Sequence, residues 1–122
     1  MLTGPSREHL DWPFLGEEHR VLARELDAFI AAGGLGEIDH HDADAACKAL
    51  VRRLGEAGVL RRCVPAAHGG ASTEIDSRAL CVIRETLAWH DGLADFAFAM
   101  QGLGTGAISL SGTEELKARV LP

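Results

Sequence analysis

The sequence contains no tyrosine, only four Phe and two Trp, and 12 Lys and Arg against 18 Asp and Glu. Each shortage excludes something. With so few aromatic side chains the core must be assembled from small and aliphatic residues, a composition that suits closely packed helices and argues against a β-sandwich. The formal charge of -6 argues against a nucleic-acid partner, which needs clustered cations. The two short basic groups, Arg52-Arg53 and Arg61-Arg62, read as exposed faces of helix or loop. Three cysteines, Cys47, Cys63 and Cys81, lack paired zinc spacing and leave one unpaired in any disulfide scheme, so all three are expected to be reduced core residues. No window approaches the roughly 18 apolar residues of a membrane span, and the first ten residues hold no apolar signal-peptide core. A cytoplasmic chain is the expectation.

What is present is an ordinary globular balance, 47% hydrophobic and 25% charged over 122 residues, enough for one domain with its own core. Residues 1–13 are polar, carry Pro5 and Pro13, and read as an irregular lead-in. From Glu17 to Ala32, Val21, Leu22, Leu26, Phe29 and Ile30 recur at helical spacing until Gly33-Gly34 ends the pattern. A second helix starts at a cap on Asp42 or Asp44 and buries Ala46, Leu50 and Leu54. It frays at Gly55 and Gly58, before a turn-rich loop over Cys63–Gly70. Thr73, with Asp76 three positions on, can cap a third helix carrying Leu80, Ile83 and Leu87 to about Asp91-Gly92. Leu93 to Ser111 is the most apolar run, with Asp95 its only charge, and predicts a central helix buried nearly all round. Gly102, Gly104 and Gly106 interrupt it, which predicts a break or a close approach by another group. Thr113 caps a last helix from Glu114 to Val120. The fold class is all-α, an orthogonal or up-down bundle of five or six helices.

Few residues offer chemistry. His40-His41 with Asp39, Asp42 and Asp44 is the one dense group of potential metal ligands, but its spacing departs from known sites and a solvated loop with an Asp cap explains it, so no metal is expected. Gly102-Leu-Gly-Thr-Gly106 lacks the lysine of a P-loop and the preceding strand of a dinucleotide fold. His90 and Asp91 could form half of a dyad, yet no Ser or Cys nucleophile completes a triad, and both also suit a helix end. No catalytic residue is assigned. The residues describe a helical domain with an apolar, glycine-notched central helix.

The order of these pieces resembles the amino-terminal domain of the acyl-CoA dehydrogenase family of flavoproteins. Three stretches over residues 14–122 carry the likeness: Leu54–Leu60 (LGEAGVL) followed by Val64–Gly70 (VPAAHGG), the helix from Ala79 to Trp89, and Gly112–Pro122 (GTEELKARVLP). Three departures stand out. His68 takes an aromatic position, Ala66-Ala67 replace an acidic pair, and Arg61-Arg62 occupy places more often small or apolar, which bears on the substrate more than on the fold. The resemblance implies FAD as cofactor and an acyl-CoA or acyl-carrier-protein thioester as substrate. It also implies that 14–122 is the helical N-terminal part of a longer flavoprotein, whose β-domain and C-terminal helical domain, with the catalytic base, lie outside these residues. Carried over by position, Phe96, Ala99, Met100, Leu103 and Gly104 would line the acyl pocket, with no cofactor-binding residue assigned. A homodimer or homotetramer of the full-length protein is implied as well. A same-fold acyl-CoA oxidase or flavin monooxygenase remains open, as does a non-catalytic helical binding module, although closing at Leu121-Pro122, where the family's domain closes, favours the flavoprotein. High Ala, Gly and Arg content suggests a GC-rich bacterial gene.

Overall fold

A computed structural model describes residues 4–122, so only residues 4–13 of the lead-in can be followed and residues 1–3 lie outside the described residues. Five α-helices form the domain: α1 (Glu17–Ala31), α2 (Ala43–Glu56), α3 (Ser77–His90), α4 (Gly92–Ser111) and α5 (Glu114–Val120). Short 3-10 turns occupy Glu8–Asp11, Val59–Cys63 and Ala66–His68. The described residues contain no β-strand, only an isolated bridge between Pro65 and Ser72. The all-α class holds.

α4 is the hub, packed on α3 along one side and on α2 and the Val59–Cys63 turn along another, while α1 lies against α3. The expected stripes make the core: Leu22 and Leu26 of α1, Leu50 and Leu54 of α2, Ile83 and Leu87 of α3, and Ala94, Ala97 and Phe98 of α4 are all buried. Alanine at 94 and 97 lets neighbouring helices approach α4 closely, so Phe98 is the one large aromatic the core must accommodate.

Local chemistry explains where the elements start and stop. The Asp42 side chain accepts a hydrogen bond from the Ala45 backbone N–H and starts α2. The chain leaves α2 through Gly58, whose φ of 77° lies in the left-handed region that favours glycine. In the Val64–Gly70 loop, a Cβ on Gly70 would overlap the Val64 carbonyl and the Pro65 backbone, so the turn can close only on glycine at that position. Thr113 starts α5 by accepting from the Leu116 N–H.

Three expectations need correction. α3 is capped by Asp76, which accepts from the Arg78 N–H, and not by Thr73, because the chain bends at Thr73 and Glu74 and becomes helical only after Asp76. α4 runs unbroken through Gly102, Gly104 and Gly106; the single proton of the Thr105 hydroxyl is shared between the carbonyls of Cys63 and Gln101 and ties this stretch to the Val59–Cys63 turn. α4 is also far from buried all round: Leu103 is 67% and Leu110 85% exposed, since the hydrophobic run is longer than the surface its neighbours cover. Within the lead-in, Leu10 is buried, and Arg7 bonds to Asp27 (2.7 Å) and Thr86 (2.8 Å), so residues 7–11 are docked on α1 and α3.

Candidate functional site: an apolar groove along the central helix

Helical periodicity puts Phe96, Ala99, Met100 and Leu103 of α4 on one stripe, at i, i+3, i+4 and i+7. The stripe is not spent on the core: Phe96 is 53% and Met100 40% exposed. With Ile75, with Leu80 and Arg84 of α3, and with Cys63, these four residues line one groove of about 510 Å³. Four of the five expected pocket residues therefore come together. Gly104 does not join them; it is exposed, with no atom within 4 Å of where a Cβ would stand. Gly102 lines the groove instead, and a Cβ there would meet the Cys63 Sγ at an ordinary 3.7 Å.

The groove has one polar feature. Arg84 grips Asp95 in a bidentate pair, Nε to Oδ1 at 2.8 Å and Nη2 to Oδ2 at 2.9 Å. Hydrogen bonding to Asp95 raises the Arg84 pKa still further above its ordinary value, so the guanidinium stays charged. At the opposite end burial pushes the Cys63 thiol up to about 11, which keeps it protonated and unreactive at neutral pH. Sequence reasoning did not bring out Arg84, Ile75, Leu80 or Gly102 as groove residues. Leu80 was legible as part of the α3 stripe, but nothing in an eleven-residue separation marks Arg84 and Asp95 as partners.

A second cavity of about 460 Å³ lies among Arg61, Val64, His68, Gly69, Gln101, Thr105, Leu121 and Pro122. Two of the departures noted from the family pattern, Arg61 and His68, line this cavity and not the groove.

The remaining candidates have structural roles. Asp91 Oδ1 accepts from the N–H groups of Leu93 and Ala94 and starts α4, and its Oδ2 lies 2.7 Å from Nε2 of His40, not of His90. Asp39 accepts from the His41 N–H, and among the described residues no three His, Cys, Asp or Glu side chains gather as a metal site. The three cysteines are free; Cys47 is half-buried and Cys63 buried, but Cys81 is exposed rather than in the core, because it sits on the outer side of α3. Among the described residues no helix is long and apolar enough to cross a membrane.

The buried polar site is elsewhere, at His19. Its Nδ1 lies 2.9 Å from the Gly16 N–H, which can only donate, so Nδ1 accepts and the proton of the neutral ring sits on Nε2, 2.7 Å from Asp76 Oδ2. Asp76 Oδ1 accepts from the Arg78 N–H and from Arg78 Nε, and Arg78 Nη1 donates to the Phe14 carbonyl. The network joins the starts of α1 and α3.

Comparison with known proteins agrees with this architecture. The family model described as "Acyl-CoA dehydrogenase, N-terminal domain" matches residues 16–122. The chain is 37% identical over 113 residues to a probable acyl-CoA dehydrogenase, fadE25, of Mycobacterium leprae, and 34% identical over 113 residues to the probable acyl-CoA dehydrogenase FadE25 of Mycobacterium tuberculosis. Each match covers 88% of this chain and 28% of the relative, so the chain spans less than a third of the length of these relatives. The chain belongs to the acyl-CoA dehydrogenase family, as its N-terminal helical domain.

Proposed function

We propose that this domain forms one wall of the acyl site of an FAD-dependent dehydrogenase that oxidises the Cα–Cβ bond of an acyl thioester carried on coenzyme A or an acyl carrier protein. The observation that carries the reading is the groove: four α4 side chains of one helical stripe, only partly used by the core, line a largely apolar surface. An alkyl chain suits such a lining, because apolar contact area is what it offers in exchange for leaving water. The same lining does not fit the flavin itself. A diphosphate and a ribityl chain need several convergent donors, and the groove supplies one guanidinium already engaged by Asp95. The flavin supplies the hydride acceptor of the reaction, and this domain's share is to hold the chain and exclude water from it.

The reading extends to the whole protein as a cytoplasmic bacterial enzyme, a homodimer or homotetramer, with the base and most of the flavin contacts supplied by residues outside this domain. The test is to express the full reading frame, record its flavin absorbance, and add acyl thioesters without oxygen. Bleaching identifies a dehydrogenase or an oxidase, and rapid reoxidation by air separates the second from the first. Flavin that no thioester bleaches points to a monooxygenase of the same fold. A frame that yields no flavin leaves a helical binding module. In the bleaching protein, Ala99→Phe, which adds a ring to a half-buried position in the groove, is expected to raise KM for long chains more than for short ones.

A further inference from the structure

We propose that Arg84 is a specificity-determining residue that selects acyl chains bearing a neutral oxygen, a carbonyl or hydroxyl, where its guanidinium borders the groove. This rests on the reading of the groove as an acyl site. Arg84 has five N–H donors; Nε and Nη2 serve Asp95, while Nη1 makes no hydrogen bond among the described residues. The rest of the lining on α3 and α4 is hydrocarbon or thioether: Leu80, Phe96, Ala99, Met100 and Leu103. Water satisfies Nη1 while the groove is open, since the Arg84 side chain is 54% exposed. Where a plain alkyl chain laid along the stripe covers the Arg84 guanidinium, it displaces that water and returns no acceptor, leaving a charged donor unpaired. A chain with an oxygen at this point replaces the lost hydrogen bond, and the two chains differ by one charge-assisted bond.

The oxygen must be neutral. Asp95, whose side chain is 16% exposed, already balances the guanidinium, so a second carboxylate would meet a pair of no net charge and a like charge beside it. The position is set by α4. From Asp95 to Gly102 is seven residues, about 10 Å at the α-helical rise, and Gly102 marks the Cys63 end of the groove. An oxygen held by Arg84 beside Asp95 therefore stands several carbons away from any group held near Leu103.

The experiment compares two coenzyme A thioesters of equal chain length, one unsubstituted and one with an oxo group near the end remote from the thioester, on the full-length holoenzyme. Arg84→Gln is expected to lower the ratio of kcat/KM, oxo-acyl over plain acyl, by roughly tenfold or more. Because that variant leaves Asp95 unpaired, Arg84→Gln/Asp95→Asn is measured in parallel, with flavin content and Tm as checks on folding. The same fall in ratio is expected there. An unchanged ratio in the variant that retains flavin overturns the inference, as does an equal loss on both substrates, which would mean that Arg84 meets the thioester carbonyl common to them. If the unmodified enzyme bleaches with neither thioester, the acyl reading fails and this inference falls with it. If it bleaches with both and the ratio ignores Arg84, only the inference falls.

Discussion

Replacing Asp76 with asparagine tests the network that joins α1 to α3. Burial raises the Asp76 pKa, but the hydrogen bonds from His19, the Arg78 side chain and the Arg78 backbone outweigh it and bring the carboxyl from its ordinary 3.8 down to about 2. At about 1.36 kcal/mol per pH unit that difference corresponds to about 2.4 kcal/mol of stabilisation. The side chain keeps 21% of its exposure, and solvent screening reduces the expected value to about 1–2 kcal/mol. A depressed folded pKa fixes the sign: the contribution is fully present above about pH 4 and is lost as the pH falls through about 2. Asparagine keeps the shape but has no charge to lose. Urea unfolding followed by far-UV circular dichroism should therefore show the parent protein more stable than Asp76→Asn near neutral pH, with the gap closing between about pH 4 and 2. Equal stability near neutrality, or a gap that persists unchanged at low pH, would refute the argument.

Phe98→Ala should cost about 3–5 kcal/mol, read as a loss of denaturation midpoint, because the ring is 1% exposed within the buried core cluster and its removal leaves a cavity there. Gly104→Ala should raise the stability by up to about 1 kcal/mol in a thermal melt, since the added methyl meets no atom within 4 Å and removes a helix-interior glycine. Gly70→Ala should do the reverse and lower Tm by several degrees, because the clash is with the Val64 carbonyl and the Pro65 backbone, which cannot swing aside as a side chain would.

Most of the fold was legible because most of it is amphipathic helix ended by a strong local signal. Leu50 and Leu54, Ile83 and Leu87 fall where their spacing puts them, and Gly58 and Asp42 mark the ends of α2 as their backbone and side-chain chemistry dictate. Errors came where two local signals competed. Thr73 and Asp76 are both good caps, and only tertiary context chooses: His19 of α1 needs an acceptor for its Nε2 proton and finds it in Asp76. His19 itself escaped notice because a histidine among charged neighbours in a first helical turn looks like surface, although it is 1% exposed. The groove was legible in part. The stripe from Phe96 to Leu103 follows from helical period once the family likeness points to that helix, whereas Arg84, Ile75 and Cys63 reach it from other elements by packing that no local pattern records.

The same contrast explains why the central helix was read as fully buried. Composition reports how apolar a segment is, not how much of the surrounding surface is available to cover it. Within this domain α3, α2 and the Val59–Cys63 turn cover α4 where Ala94, Ala97 and Phe98 lie, and leave Phe96, Met100, Leu103 and Leu110 facing outward. Scattered exposed apolar residues need no explanation, but Phe96, Met100 and Leu103 share one stripe and one groove. The exposed stripe and the apolar composition of the run are therefore one fact under the proposed function. On that proposal, residues that a self-contained helical bundle would have made polar stay apolar because they meet an acyl chain, and the Arg84–Asp95 ion pair is the point where that chain's chemistry would be told apart from plain hydrocarbon.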